Sequence, residues 1–198
     1  MTSRVTLVSA ARSASVRQVR FDDGAPLDAS GTAAARAAAG TLRTARQVLV
    51  SPTVRCRETA SALGLEATEE ARLAGLDMGR WRGRTLDEVA AREPGAVALW
   101  LADPDAAPHG GESVRALCAR AERWLHTVRE AEGGVLAVVE PEFVRAVVVR
   151  VLAAPEAAFW RLDVPPLTAT GLSGRAGRWN VRLGQALGSR DQSVEQDA

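Results

Sequence analysis

Lysine, tyrosine and isoleucine are absent from this chain, and all 25 basic residues are arginine. The lack of lysine excludes Schiff-base chemistry, and the lack of tyrosine excludes a phenolic acid or nucleophile. An anion site must then use arginine forks, backbone amides or histidine. Histidine is itself scarce, with only His109 and His126 present. Two cysteines, Cys56 and Cys118, are too few for a disulfide scaffold and fit no C-x-x-C or metal-ligand spacing, so they read as small buried hydrophobes. Neither a metal nor a cofactor is expected. The opening MTSRVTLVSAARSAS holds an apolar run of only about five residues, too short for a signal core. No run approaches the ~18 apolar residues that span a bilayer. A formal net charge of +1 leaves no basic footprint. These absences predict a cytoplasmic protein, monomeric or a small homo-oligomer, with no nucleic-acid or membrane partner.

What is present is an Ala-, Arg-, Val- and Gly-rich chain of 198 residues, of which 46 % are hydrophobic, enough for one core. That bias reflects GC-rich coding more than function. Three β-branched runs stand out: Arg4 to Val8, Gln47 to Val50 and Val135 to Val139. Each is apolar without alternation, as in strands buried on both faces of a parallel sheet. Helical stretches separate them. Ser30 reads as the N-cap of a helix through Leu42, and a second helix runs from Arg55 to Leu63 before Gly64. Thr85 to Glu88 forms a capping box, and a long amphipathic helix spans Ser113 to Ala131. Phe143 to Leu152 is a further helix, and 159–182 resumes strand-like runs with turns at Pro165-Pro166 and Gly174. The pattern predicts a three-layer α/β/α sandwich with a mainly parallel mixed sheet over 1–183, followed by a polar tail at 184–198. Ligands in such sheets bind beyond the carboxyl ends of the strands. Function is then sought at Ser9-Ala10-Ala11-Arg12, at Ser51 to Arg55 and at Glu140-Pro141-Glu142.

In their order, several pieces resemble the histidine phosphatase superfamily, the phosphoglycerate-mutase-like fold. Ser51-Pro52-Thr53-Val54-Arg55-Cys56-Arg57-Glu58-Thr59-Ala60 is similar to the family's SPLxRxxxTA element. Asp77 to Gly83 resembles DFGxWEG, and Pro108-His109-Gly110-Gly111-Glu112-Ser113 resembles PxGGES. Arg20-Phe21 with Ala25-Pro26-Leu27 and Gly31 is similar to RxxGxxDxPLTxxG with a shortened loop, and Phe143 to Ala146 to the helix after the second catalytic histidine. The likeness spans roughly 4 to 183.

The resemblance also shows departures. The family's nucleophilic histidine falls on Ala10, its first arginine on Ser9, its second histidine on Glu140 and its acid on Gly75. Alanine has no lone pair with which to take a phosphoryl group. Arg55 aligns with an arginine that forks onto phosphate in the family, or it is a structural partner for a carboxylate. Arg12 either restores charge beside Ala10 or is a solvated loop residue. Glu140 either pairs with Arg12 or Arg55 and closes the old pocket, or acts as a general base where burial lifts its pKa. His109 borders the pocket in the family; His126 reads as an exposed or packing residue, Glu142 as solvent-facing, and the five tryptophans as packing. The candidate ligand-binding set is Ser9, Arg12, Arg20, Arg55, His109 and Glu140.

Three functions follow as expectations. The first is a pseudophosphatase that binds a small, anionic ligand or a protein partner. The second is an enzyme of non-phosphoryl chemistry using Glu140 and Arg55. The third is a structural partner of an active paralogue.

Overall fold

The computed structural model describes residues 3–128, 133–175 and 178–187. Its six-stranded sheet comprises β1 (Ser3–Ser9), β2 (Gln47–Val50), β3 (Thr68–Glu69), β4 (Val135–Val139), β5 (Thr168–Arg175) and β6 (Arg178–Ala186), in the order β3-β2-β4-β1-β5-β6. The pairs β3–β2, β2–β4 and β4–β1 are parallel, whereas β5 and β6 join antiparallel. The three β-branched runs are thus the central strands. Along β4, Val135, Ala137 and Val139 enter one core cluster, while Leu136 and Val138 enter another. Both faces are buried, which explains the missing alternation.

Helices cover both faces. On one lie α2 (Ala29–Ala37) and α3 (Val54–Ala62), whose Ala35, Cys56 and Ala60 meet Val8, Val50 and Val138. On the other lie α6 (Val114–Val128) and α7 (Pro141–Val151), packed through Leu117, Trp124, Phe143 and Val147. A short helix, α1 (Ala14–Arg17), follows β1, and α4 (Leu86–Arg92) and α5 (Pro94–Ala102) carry a third, aromatic-rich cluster with Trp81 and Trp100.

Several local readings hold. Thr85 and Glu88 form the reciprocal capping box at α4, and Cys56 and Cys118 are buried free thiols. Others need correction. Asp28, not Ser30, caps α2: its carboxylate accepts from Gly31 N (2.7 Å) and from the Ser30 hydroxyl (2.7 Å), and the helix stops at Ala37. Phe159 and Trp160 belong to a 3₁₀ segment, Glu156–Arg161, because Pro155 starts a turn rather than a strand. Gly174 is still in strand, paired with Trp179. Strand β6 runs to Ala186, three residues past the expected domain end, and 188–198 lie outside the described residues, as do 129–131 of the expected long helix. The short β3 and α5 were not foreseen. No helix among the described residues is long and apolar enough to cross a membrane.

Candidate functional site

Because β1, β2 and β4 run parallel, Ala10, Ser51 and Glu140 leave the sheet at the same edge. Backbone bonds lace them together: Ala10 N donates to Val139 O (3.0 Å) and Ser51 N to Val138 O (2.9 Å). Two helices begin at this edge. Thr53 caps α3, its hydroxyl oxygen accepting weakly from Cys56 N (3.4 Å), which puts Arg55 in the first turn. Glu140 is the N-cap of α7, with Pro141 at the first helical position, yet its carboxylate makes no capping bond.

That carboxylate goes instead to α3. Arg55 Nη2 is ion-paired to Glu140 Oε2, Arg55 Nε lies 3.4 Å from Oε1, and the Thr53 hydroxyl donates to Oε1 (2.7 Å). Both residues are enclosed, Arg55 at 6 % and Glu140 at 2 % exposure. An ion pair this deep stands only where each charge answers the other. Burial works against the charged guanidinium, but the charge and hydrogen bonds of Glu140 prevail and raise the Arg55 pKa. Of the two partners expected for Glu140, the fold selects Arg55. Arg12 is exposed and makes no ion pair among the described residues; its carbonyl accepts from Asp28 N (3.2 Å).

Further carboxylates crowd the pair. Burial raises the Asp22 carboxyl, and the charge of Glu140 adds to this against the opposing Arg55. The same causes raise Glu142, which is half-buried rather than solvent-facing. Burial and then Glu140 also raise the Cys56 thiol, which is inert in this setting. Arg55 thus answers Glu140 directly while two more acids lie within electrostatic reach. The site is acid-rich around one enclosed guanidinium.

Gly75 makes room for this arrangement. A Cβ at that position would stand 3.0 Å from Glu140 Cγ and 3.3 Å from its Cβ. Gly75 also lines an open groove of about 640 Å³ with Asp77, Gly111, Glu112, Ser113 and Arg120. Arg120 holds that wall in place. Its Nε and Nη2 fork onto Glu112 (2.9 and 2.6 Å), and its remaining N–H groups reach the carbonyls of Arg72, Ala74 and Gly75 (2.8, 2.8 and 3.1 Å). Sequence reasoning placed Thr53 in a stretch where function is sought without giving it a role, and did not single out Arg120 or Asp22. The one available signal was Thr53 at the cap before Arg55.

The other candidates do different work. Ser9 Oγ donates to Pro165 O (2.6 Å) and accepts from Thr168 N (3.1 Å), tying β1 to the start of β5. Arg20 donates to Gln18 (2.9 Å), to Gly83 O (2.8 Å) and to Glu88 (3.4 Å). His109, at 1 % exposure, lies against the Trp81 ring (5.1 Å) and is edge-on to Trp100 (6.4 Å). Its Nδ1 accepts from Gly111 N (3.0 Å), which assigns the proton to Nε2. Burial lowers its pKa, and Arg80 adds to this against Asp77. These contacts make His109 a wall residue of its own loop. His126 is exposed. No group of His, Cys, Asp and Glu among the described residues has the makings of a metal site.

Comparison with known proteins places this geometry in a family. A chain solved as "Mycobacterial hydrolase 1" superposes with a TM-score of 0.83 at 25 % identity, covering 94 % of this chain and all of that one. The mycobacterial glucosyl-3-phosphoglycerate phosphatase Rv2419c, solved with VO3, superposes with a TM-score of 0.82 at 27 % identity over 93 % of this chain and 99 % of its own. The bifunctional protein Rv2228c of Mycobacterium tuberculosis is 36 % identical over 80 residues, 38 % of this chain but 22 % of that protein. This chain therefore spans only about a fifth of that curated relative's length. The profile of the histidine phosphatase superfamily (branch 1) matches residues 10–186, and the chain belongs to that superfamily.

Proposed function

We propose that this chain is a catalytically degenerate histidine-phosphatase fold that works as a binding protein and not as a phosphatase or mutase. The observation that carries the reading is the enclosed Arg55–Glu140 pair beside Ala10. Phosphoryl transfer of the family's kind needs an imidazole nucleophile, and Ala10 offers none. The phosphate-binding arginine of the family already holds a carboxylate, so Glu140 stands where a substrate oxyanion would be. A phosphate entering here would also meet the acids Asp22 and Glu142, and like charges repel strongly at low dielectric. The partner is a small molecule, anionic where it displaces Glu140, or a protein. Purified protein assayed with aryl phosphates and phosphosugars is expected to show no turnover. Turnover abolished by Arg55→Ala would overturn the reading, whereas turnover indifferent to that change marks a contaminant.

A second reading draws on Asp22. Burial raises the Asp22 carboxyl, and the ion-paired Glu140 within electrostatic reach adds to this, so two carboxyl groups share one site in different settings. An enzyme of non-phosphoryl chemistry, a hydrolase, lyase or isomerase, would use Glu140 as base and Arg55 to orient a carboxylate. It predicts that any activity found in a substrate screen disappears in both Asp22→Asn and Glu140→Gln. An activity untouched by either change rules it out.

A further inference from the structure

The nine residues of α5, Pro-Gly-Ala-Val-Ala-Leu-Trp-Leu-Ala, include no polar side chain. A helix apolar on every side belongs in an interior. Here only Val97 and Trp100 are buried, against Trp81, Val89 and Met78. The opposite face stands in solvent, with Leu99 at 49 % and Leu101 at 48 % exposure. Gly95, Ala98 and Ala102 are exposed as well, and their spacing of three and four sets them in one line along the helix. The face is thus a shallow seam of small residues flanked by two leucines. Small residues let two helix backbones approach closely while the leucines cover the flanks. Two exposed leucines on either side of a small-residue seam are unlike the scattered apolar residues of an ordinary surface.

Charge at the two ends of α5 identifies the occupant. Arg92 stands exposed just before the helix and Asp103 exposed just after it. Their neighbours are already paired, Glu93 with Arg80 and Asp105 with Arg115 (2.5 Å). Arg92 and Asp103 make no ion pair among the described residues. The helix is about 14 Å long, so a second α5 laid antiparallel on the first sets the Arg92 end of each copy against the Asp103 end of the other. The same two-fold turns the seam onto itself, as an isologous contact requires. Antiparallel helices also oppose their dipoles favourably.

We propose that α5 is a self-association surface whose occupant is α5 of a second copy of this chain. It is independent of the reading of the Arg55–Glu140 site. One short helix per copy gives a contact well below the standard ~800 Å² per partner, so the dimer forms at high micromolar concentration and dissociates on dilution.

Sedimentation equilibrium across low to high micromolar protein tests this. The natural chain shows a monomer–dimer equilibrium, and Leu99→Glu with Leu101→Glu keeps it monomeric with an unchanged far-UV spectrum. Arg92→Asp and Asp103→Arg each weaken the dimer about fivefold at low salt, because each change counts twice across the two-fold. Combining the two restores the natural affinity. A chain that stays monomeric to high concentration, or a dimer indifferent to the leucine changes, would falsify the proposal. A combined charge variant no tighter than the single ones also rejects it, since the antiparallel pairing would then be wrong.

Discussion

Glu140 rests on Gly75: a methyl group added at Gly75 would stand 3.0 Å from Glu140 Cγ, tighter than ordinary packing allows. The Glu140 side chain cannot easily yield, because Arg55 and Thr53 hold both of its oxygens. Gly75→Ala is therefore expected to destabilise the fold by about 1–3 kcal/mol through overpacking. In a Glu140→Ala background the same change should cost little, since the opposing atoms are gone. Denaturant melts of the two single variants and the double variant measure the coupling. Additive effects would separate Gly75 from the ion pair.

The pair itself makes a second expectation. Glu140→Ala leaves the enclosed Arg55 guanidinium without a counter-charge, a loss of about 3–5 kcal/mol. Inorganic phosphate can then supply the missing charge, so phosphate raises the melting temperature of the variant more than that of the natural chain. Glu140→Gln keeps the shape without the charge and serves where the alanine variant folds poorly. An equal or smaller phosphate effect in both variants means that Arg55 is not an anion site held closed.

The strands that build this edge were legible because burial on both faces demands unbroken β-branched runs, as in Val135 to Val139. The edge therefore followed from sequence, and so did the meeting of Ala10, Arg55 and Glu140. The choice of Arg55 over Arg12 did not. Each follows the carboxyl end of a central strand, Arg12 after β1 and Arg55 after β2, and only the start of α3 at Val54 turns Arg55 inward while Arg12 faces solvent. The setting of His109 was hidden for a similar reason. Its motif sits beside the pocket in the family, but a ring walled by Trp81 and Trp100 depends on contacts more than eight residues away in sequence, which no local pattern records. Helix α5 left no periodic trace, because a segment apolar on all sides has no face to reveal.

Arg120 commits every guanidinium N–H to one wall, bonding Glu112 and the carbonyls of Arg72, Ala74 and Gly75. Arg120→Lys keeps the charge but not the planar fork, and a single ammonium cannot serve these acceptors together. A loss of about 1–2 kcal/mol is expected, since Glu112 and the half-buried carbonyls of Ala74 and Gly75 would lose donors. Amide hydrogen exchange over residues 72–75 should quicken with it. Unchanged exchange there would mean that the segment is held by other contacts.

His109 sets the last expectation, a dependence on pH. Protonation would place a hydrogen on Nδ1, the atom that accepts the Gly111 N–H, and would charge a ring enclosed by tryptophans. Around it, Asp77 favours the charged ring, whereas burial and Arg80 oppose it, and the balance lowers the pKa. A histidine held below its ordinary value binds its proton more readily in the unfolded chain. Stability is then fully present above about pH 6.5 and declines as pH falls through the window down to the folded-state value. His109→Asn preserves an acceptor for Gly111 N–H without a titrating ring. Melting temperatures of the two proteins should run parallel above pH 7 and diverge as the pH falls below about 6.5, with the natural chain falling faster. Curves that stay parallel throughout would show that the ring takes its proton as easily in the fold as in the unfolded chain.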